Sequence, residues 1–447
     1  MTGDDAVTKT QDSRLKTQRE EPRPVESASR TEGDPSLRSG FRVSSFLQTT
    51  GILAVIAGLL AAAVIARGQL LDRRREAKLE PADVSRLTPV GAASVVLLGG
   101  FRGVAADILW LQATGYHDRR LYVEERGIIE LITQIQPHSV SVWAFWALAI
   151  SYDISVQEHD PRNQWRWVRD GVEFIEKGIA VNPESGDLWF YLGQLYRDKM
   201  SQDPYFEDAC EREMGRNNFE EAATAYDRSR QLAWGPAFPF APRMVDGAVF
   251  WSWLARAQQI YRRATLTDDL SFSPETHAAA RPALDMCRKE AAHLLKRYPT
   301  DLGYIPTPAR VEMVVADGYV SQIARLLAPD PAGIPSNAVV ARARKVLDKA
   351  VSELDNYRSK YSEAHIEWVF VAKLADAWLR IPLTMVRQAG EGMSDSKPSV
   401  AVRARCRRLL QIAAAELDRV PEEVRKSKDY VWINGFVREG LEELLPQ

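Results

Sequence analysis

The most confining feature of this chain is a short stretch, Trp189 to Tyr196, written WFYLGQLY. Trp189, Leu192 and Tyr196 share one face of a helix, and Gly193 beside them has no side chain to hold a neighbouring helix away. One pair of helices cannot bury such a face alone, so the stretch requires further helices stacked against it. Trp189, Leu192 and Tyr196 are therefore expected in the core, and the general work of such a stack is binding.

The stretch has an echo. A proline stands six residues before a tryptophan twice: Pro137 before Trp143 in IQPHSVSVW, and Pro183 before Trp189 in VNPESGDLW. The spacing W-x2-L-G-x2-Y, with a proline closing the preceding helix, resembles the first-helix signature of the tetratricopeptide-repeat (TPR) family. The likeness is best over residues 105–235. Ala222 and Tyr226, in NNFEEAATAYDRS, match the second-helix pattern, with Tyr226 in place of phenylalanine. Trp189 to Ala222 spans 33 residues, roughly 17 more than an ordinary repeat allows, and the excess lies near Ser201 to Gly215. Pro137 to Pro183 spans 46 residues, about 12 beyond the usual period. Its first helix is expected over Val140–Gln157, with a turn at HDPRN and a second helix over Trp165–Val181. Such insertions map to one edge of a solenoid, often a functional one.

The rest of the chain reads as helices too. A weaker pair, Val104–Tyr116 and Tyr122–Gln136, comes before these repeats. After them WGPAFPFAP, Trp234 to Pro242, holds three prolines and predicts an extended connection. Trp251, Leu254 and Ala255 restart the first-helix pattern, and Glu275–Tyr298 follows. IPTPA, 305–309, predicts a break, with helices next over 310–327, 338–357, 362–380, 403–419 and 430–445. No alternating β pattern of useful length occurs. The expected fold is all-α, a TPR-like helical-hairpin solenoid over residues 104–300 with a C-terminal helical region, 301–447, of divergent repeats or a cap.

The N-terminal part follows other rules. Residues 1–45 carry eight Lys/Arg against eight Asp/Glu and little to bury, which predicts a disordered polar tail. Phe46 to Ala66 is 21 residues without a charge, long enough at about 1.5 Å per residue to cross a bilayer as a single transmembrane helix. Ala54, Gly58 and Ala62 form a small-residue stripe through which two such helices could pack. Arg73, Arg74 and Arg75 in the basic segment after the span suit anionic headgroups, and the basic excess there favours a cytoplasmic body. Residues 67–103 form that basic juxtamembrane segment and an apolar helix. PVGAASVVLLGGFRGVAADILWLQ, 89–112, is expected to rest on the array or at the membrane surface. A second span there would bury Arg102 and Asp107 at a cost of several kcal/mol. A nucleotide loop at Gly99–Gly103 would need a βαβ unit that the following helices do not supply.

Chemistry is sparse. The net charge of −2 offers no global attraction for nucleic acid, and no nucleic-acid partner is expected. The six histidines form no close ligand pair, and Cys210, Cys287 and Cys406 have neither metal nor disulfide-framework spacing. No G-x-S-x-G elbow or phosphate loop occurs, so neither an enzyme nor a cofactor is expected. What remains is a groove. In the TPR family the first helices usually provide ligand contacts on the concave face. The resemblance implies Phe190, Gln194 and Arg197, and after Trp251 Ser252, Arg256 and Gln259, as exposed positions for a protein or peptide, with carboxylates meeting the arginines. The expected function is a membrane-anchored scaffold. The alternatives are a nucleotide or cofactor binder using Gly99–Gly103, and a self-assembling scaffold.

Overall fold

A computed structural model describes residues 101–443, apart from 237, 329–333, 362–363 and 394–398. The tail 1–45, the apolar stretch 46–66, Arg73, Arg74 and Arg75, and Gly99 and Gly100 lie outside the described residues. No described helix is long and apolar enough to cross a membrane. Among the described residues the regular structure is entirely helical, with one isolated bridge between Ser185 and Ala233.

The first pair is α1 (Arg102–Asp118) and α2 (Tyr122–Ile135). Arg102 is spent structurally: its guanidinium donates to the Ile135 carbonyl at 2.6 and 3.2 Å, filling an acceptor at the end of α2. The next helix, α3 (Val140–Leu148), runs on through a π-helical turn, Ala149–Ile154, and one 3-10 turn. Asp160 then caps α4 (Pro161–Val181), accepting from the Arg162 amide at 2.9 Å, with Pro161 in the first turn where its missing N–H costs nothing. The arrangement recurs. α5 (Gly186–Gln194) continues through a π turn, Leu195–Lys199, and a 3-10 turn, and Asp203 caps α6 (Pro204–Ala209).

The recurring proline and tryptophan now have a physical reason. The Trp143 indole N–H donates to the Pro137 carbonyl at 2.9 Å, and that of Trp189 to Pro183 at 3.2 Å. Each indole satisfies a backbone acceptor just beyond the end of the preceding helix.

The inserted residues are not a loose loop. After α6 a π turn, Cys210–Met214, and left-handed Gly215 lead to α7 (Asn218–Gln231). Glu213 accepts from the Trp165 indole at 2.8 Å, while buried Glu207 takes Arg262 at 2.6 Å and Asp208 takes Arg263 at 2.7 Å. The insertion thus ties α4 to α8 (Pro242–Arg263). Gly193 meets its expected purpose: a Cβ there would lie 2.9 Å from the Tyr226 ring of α7. Leu192, Tyr196, Ala222 and Tyr226 are buried, as is Trp143. Trp189 is a correction: it is only half-buried, packing against the edge of the apolar core rather than within it.

The remaining helices are α9 (Pro274–Arg297), α10 (Thr307–Glu312), α11 (Val314–Leu326), α12 (Asn337–Arg358), α13 (Ala364–Met393), α14 (Val400–Leu417), α15 (Glu422–Arg425) and α16 (Lys428–Glu443). Two expected helix bounds change. Helix begins at Thr307 rather than Arg310, because Pro308 fits a first turn. α13 runs past Arg380 through Pro382 to Met393, where the buried face of Leu379, Ile381, Met385, Val386 and Ala389 outweighs the lost backbone bond. Two apolar cores result. One gathers α1 to α7 and the start of α8, through Val245, Ala248 and Val249. The other begins with Phe250 and Leu254 on the same helix and extends to Val437. Trp253 borders both.

All three cysteines are buried, and burial pushes the Cys210 and Cys287 thiols up to about 12. An aromatic disulfide reagent at about pH 8 is expected to titrate no thiol in the folded chain and all three once denatured, since the thiolate is the reacting form. Rapid labelling of even one in the native protein would contradict this packing.

Candidate functional site

The face expected to hold a ligand exists only in part. Gln194 and Arg197 line a cavity of about 330 Å³ together with Phe190, Tyr226, Trp251 and Tyr304. It lies where α5, α7 and α8 meet. Arg197 does not offer an unspent charge. Its Nε and Nη2 donate to the two Asp198 oxygens at 2.7 and 3.2 Å, and its guanidinium lies 5.2 Å from the Tyr226 ring centroid. Burial opposes that charge, yet Tyr226 and Asp198 hold its pKa above the ordinary value. The cavity therefore combines aromatic walls, one primary amide and a neutralised ion pair.

Phe190 is a correction. It is buried, not exposed, because the proline-rich connection folds back over it. Phe238 and Phe240 stand 5.2 and 4.5 Å from its ring centroid, and Trp234 stacks on Phe238 at 5.2 Å. The alternate spacing of Phe238 and Phe240 lets an extended backbone turn both rings to one side. Asp187 anchors the connection, accepting from the Gly235 amide at 3.0 Å. The Phe190 end of this α5 face is thus already covered by this chain's own Phe-Pro-Phe segment, while Gln194 and Arg197 line the cavity beyond it.

Ser252 and Gln259 are corrections of a second kind. Both are fully buried. The Ser252 hydroxyl donates to the Ala248 carbonyl at 2.8 Å. The Gln259 amide donates to Glu207 at 2.9 Å and accepts from Asn217 at 2.7 Å and Arg256 at 2.8 Å. Arg256 also donates to Glu220 at 2.7 Å. The face carrying these three residues is a polar seam against α7 and the insertion. The pattern misled because α8 begins at Pro242, nine residues before Trp251, so Trp251 sits mid-helix. The face α8 turns to the cavity is Met244, Ala248 and Trp251, which share a helical i, i+4, i+7 spacing in the sequence.

Near the cavity Lys199 is buried under Tyr152 and Phe206, 5.3 and 6.0 Å from their ring centroids, and donates to Gln202 at 3.2 Å. Burial pulls its ammonium below the ordinary lysine pKa. Of the glycine-rich stretch, Gly103 lies in the first turn of α1. The Asp160 carboxylate, beside His159, serves as the cap of α4. Among the described residues no group of three His, Cys, Asp or Glu side chains could hold a metal. No protein-family model matches the chain, and comparison with curated proteins finds no match.

Proposed function

We propose that this chain is a membrane-tethered scaffold, anchored through 46–66, whose stacked TPR-like hairpins hold an extended segment of another protein. The observation that carries this reading is the cavity of about 330 Å³ on the first-helix face, where Gln194 offers amide bonds amid Phe190, Tyr226 and Trp251. Concave, mostly apolar sites with few polar groups are where ligands are held. With Arg197 committed to Asp198, the favoured ligand is neutral and aromatic at this point rather than acidic. The basic residues Arg73, Arg74 and Arg75 favour a cytoplasmic body resting near anionic lipid.

A photo-crosslinking amino acid placed at Gln194 of the full chain in intact membranes tests the reading. A heterologous protein adduct is expected, reduced at least about fivefold by Met244→Glu, which puts a charge into the apolar wall. Adducts of the chain with itself alone would turn the reading over in favour of self-assembly.

A further inference from the structure

We infer that the first-helix face of α3 is a second seat, and that it takes a proline-interrupted aromatic segment of the Phe-Pro-Phe type from a partner protein. This rests on the proposed function and names the class of its ligand. The offset of 46 residues between the two proline–tryptophan motifs aligns Ala144 with Phe190, Phe145 with Tyr191, and Leu148 with Gln194. On α5 the first of these positions lies under Phe238 and Phe240. On α3 all three line a cleft of about 420 Å³, open among the described residues, with Tyr191 and Phe238 as its far wall.

The chain itself shows what such a face accepts. Phe190 is covered by two phenyl rings carried on a non-helical, proline-containing backbone. On α3 the position matching Phe190 is Ala144, which is buried, while Phe145, matching Tyr191, stands 49% exposed although Trp110 braces its ring edge-on at 5.1 Å. Apolar cavities of about 150 Å³ hold a benzene, so this cleft has room for an aromatic side chain and its flanking backbone. Its one carboxylate, Asp187, lies at one side and accepts from the Gly235 amide, while Val140, Ala144, Phe145, Leu148 and Phe238 make the rest of the lining largely apolar, so the seat favours an aromatic anchor. Proline in the ligand keeps it extended before binding and lowers the entropy lost.

The probe is a fluorescein-labelled peptide of the chain's own sequence, WGPAFPFAP, added to the purified full chain in detergent. The tethered copy already holds the α5 face at an effective concentration of order mM, so added peptide at lower concentration reports the open α3 seat. Saturable binding below about 1 mM is expected, weakened at least about tenfold by Phe145→Asp and by Leu148→Glu, and abolished when both peptide phenylalanines are alanine. Melting curves identify a variant that fails to fold, in which case the other variant and the alanine peptide decide. Binding unaffected by either substitution overturns the inference. So does the absence of saturable binding. Loss in Met244→Glu with Phe145→Asp unaffected would place the peptide at the α5 cavity, overturning the α3 seat while the proposed function stands.

Discussion

Replacing Arg230 by methionine is expected to destabilise the chain by about 3–5 kcal/mol, because it strands a buried carboxylate. Arg230, in the last turn of α7, donates two bonds to Glu290 of α9, at 2.8 and 3.2 Å. The Glu290 side chain is only 3% exposed, so water cannot take over. α7 and α9 both pack on α8, and the ion pair fastens them across it. The double variant Arg230→Met/Glu290→Leu is expected to recover most of the loss, since an apolar pair of similar volume removes the desolvation cost with the attraction. Denaturant unfolding of the full chain followed by tryptophan fluorescence measures both. A single variant within about 1 kcal/mol of wild type would show that Glu290 is not held as described.

The second large effect belongs to Gly193. Valine there is expected to cost about 3 kcal/mol, because its Cβ would stand 2.9 Å from the Tyr226 ring and must push α5 and α7 apart. Tyr226 is itself fully buried and cannot swing away. Gly115, inside α1, supplies the contrast: among the described residues nothing lies within 4 Å of a Cβ built there. Gly115→Ala is therefore expected to be neutral, or stabilising by up to about 1 kcal/mol, through helix propensity alone. Equal losses at both glycines in thermal melts would refute the close-packing account.

Much of the helical layout was legible in advance because it rests on periodicity. α1, α2, α4, α9 and α12 fall within a few residues of the spans that apolar spacing and prolines suggest. The helix start expected at 310 and the helix end expected at 380 both shift at prolines, Pro308 and Pro382, for opposite reasons. Proline in a first turn starts a helix, and proline in a strongly buried helix can be carried through it. Of the candidate site residues, Gln194 and Arg197 on the α5 side line a cavity. On α8 the same pattern pointed to Ser252, Arg256 and Gln259, whose surroundings are set by Glu207, Asn217 and Glu220 from distant positions. Spacing along one helix says which residues share a face, not which neighbour that face will meet. Nor could periodicity foresee that Phe238 and Phe240 would return to cover Phe190, since that depends on where an irregular segment comes to rest.

One helix belongs to two cores, and this ties the halves of the body to a common fate. Val249 closes the first core and Phe250 opens the second, so the division between them falls between consecutive residues rather than in a connecting loop. Loss of α8 as a unit strips apolar cover from both cores at once, its start from the first and its later turns from the second. The body has no hinge at this boundary, and disturbance on the groove side reaches the C-terminal helices through a continuous, stiff element. A ligand that steadies the start of α8 therefore protects turns it does not touch, by at most its own binding free energy, as in any structure where local unfolding must break a shared unit.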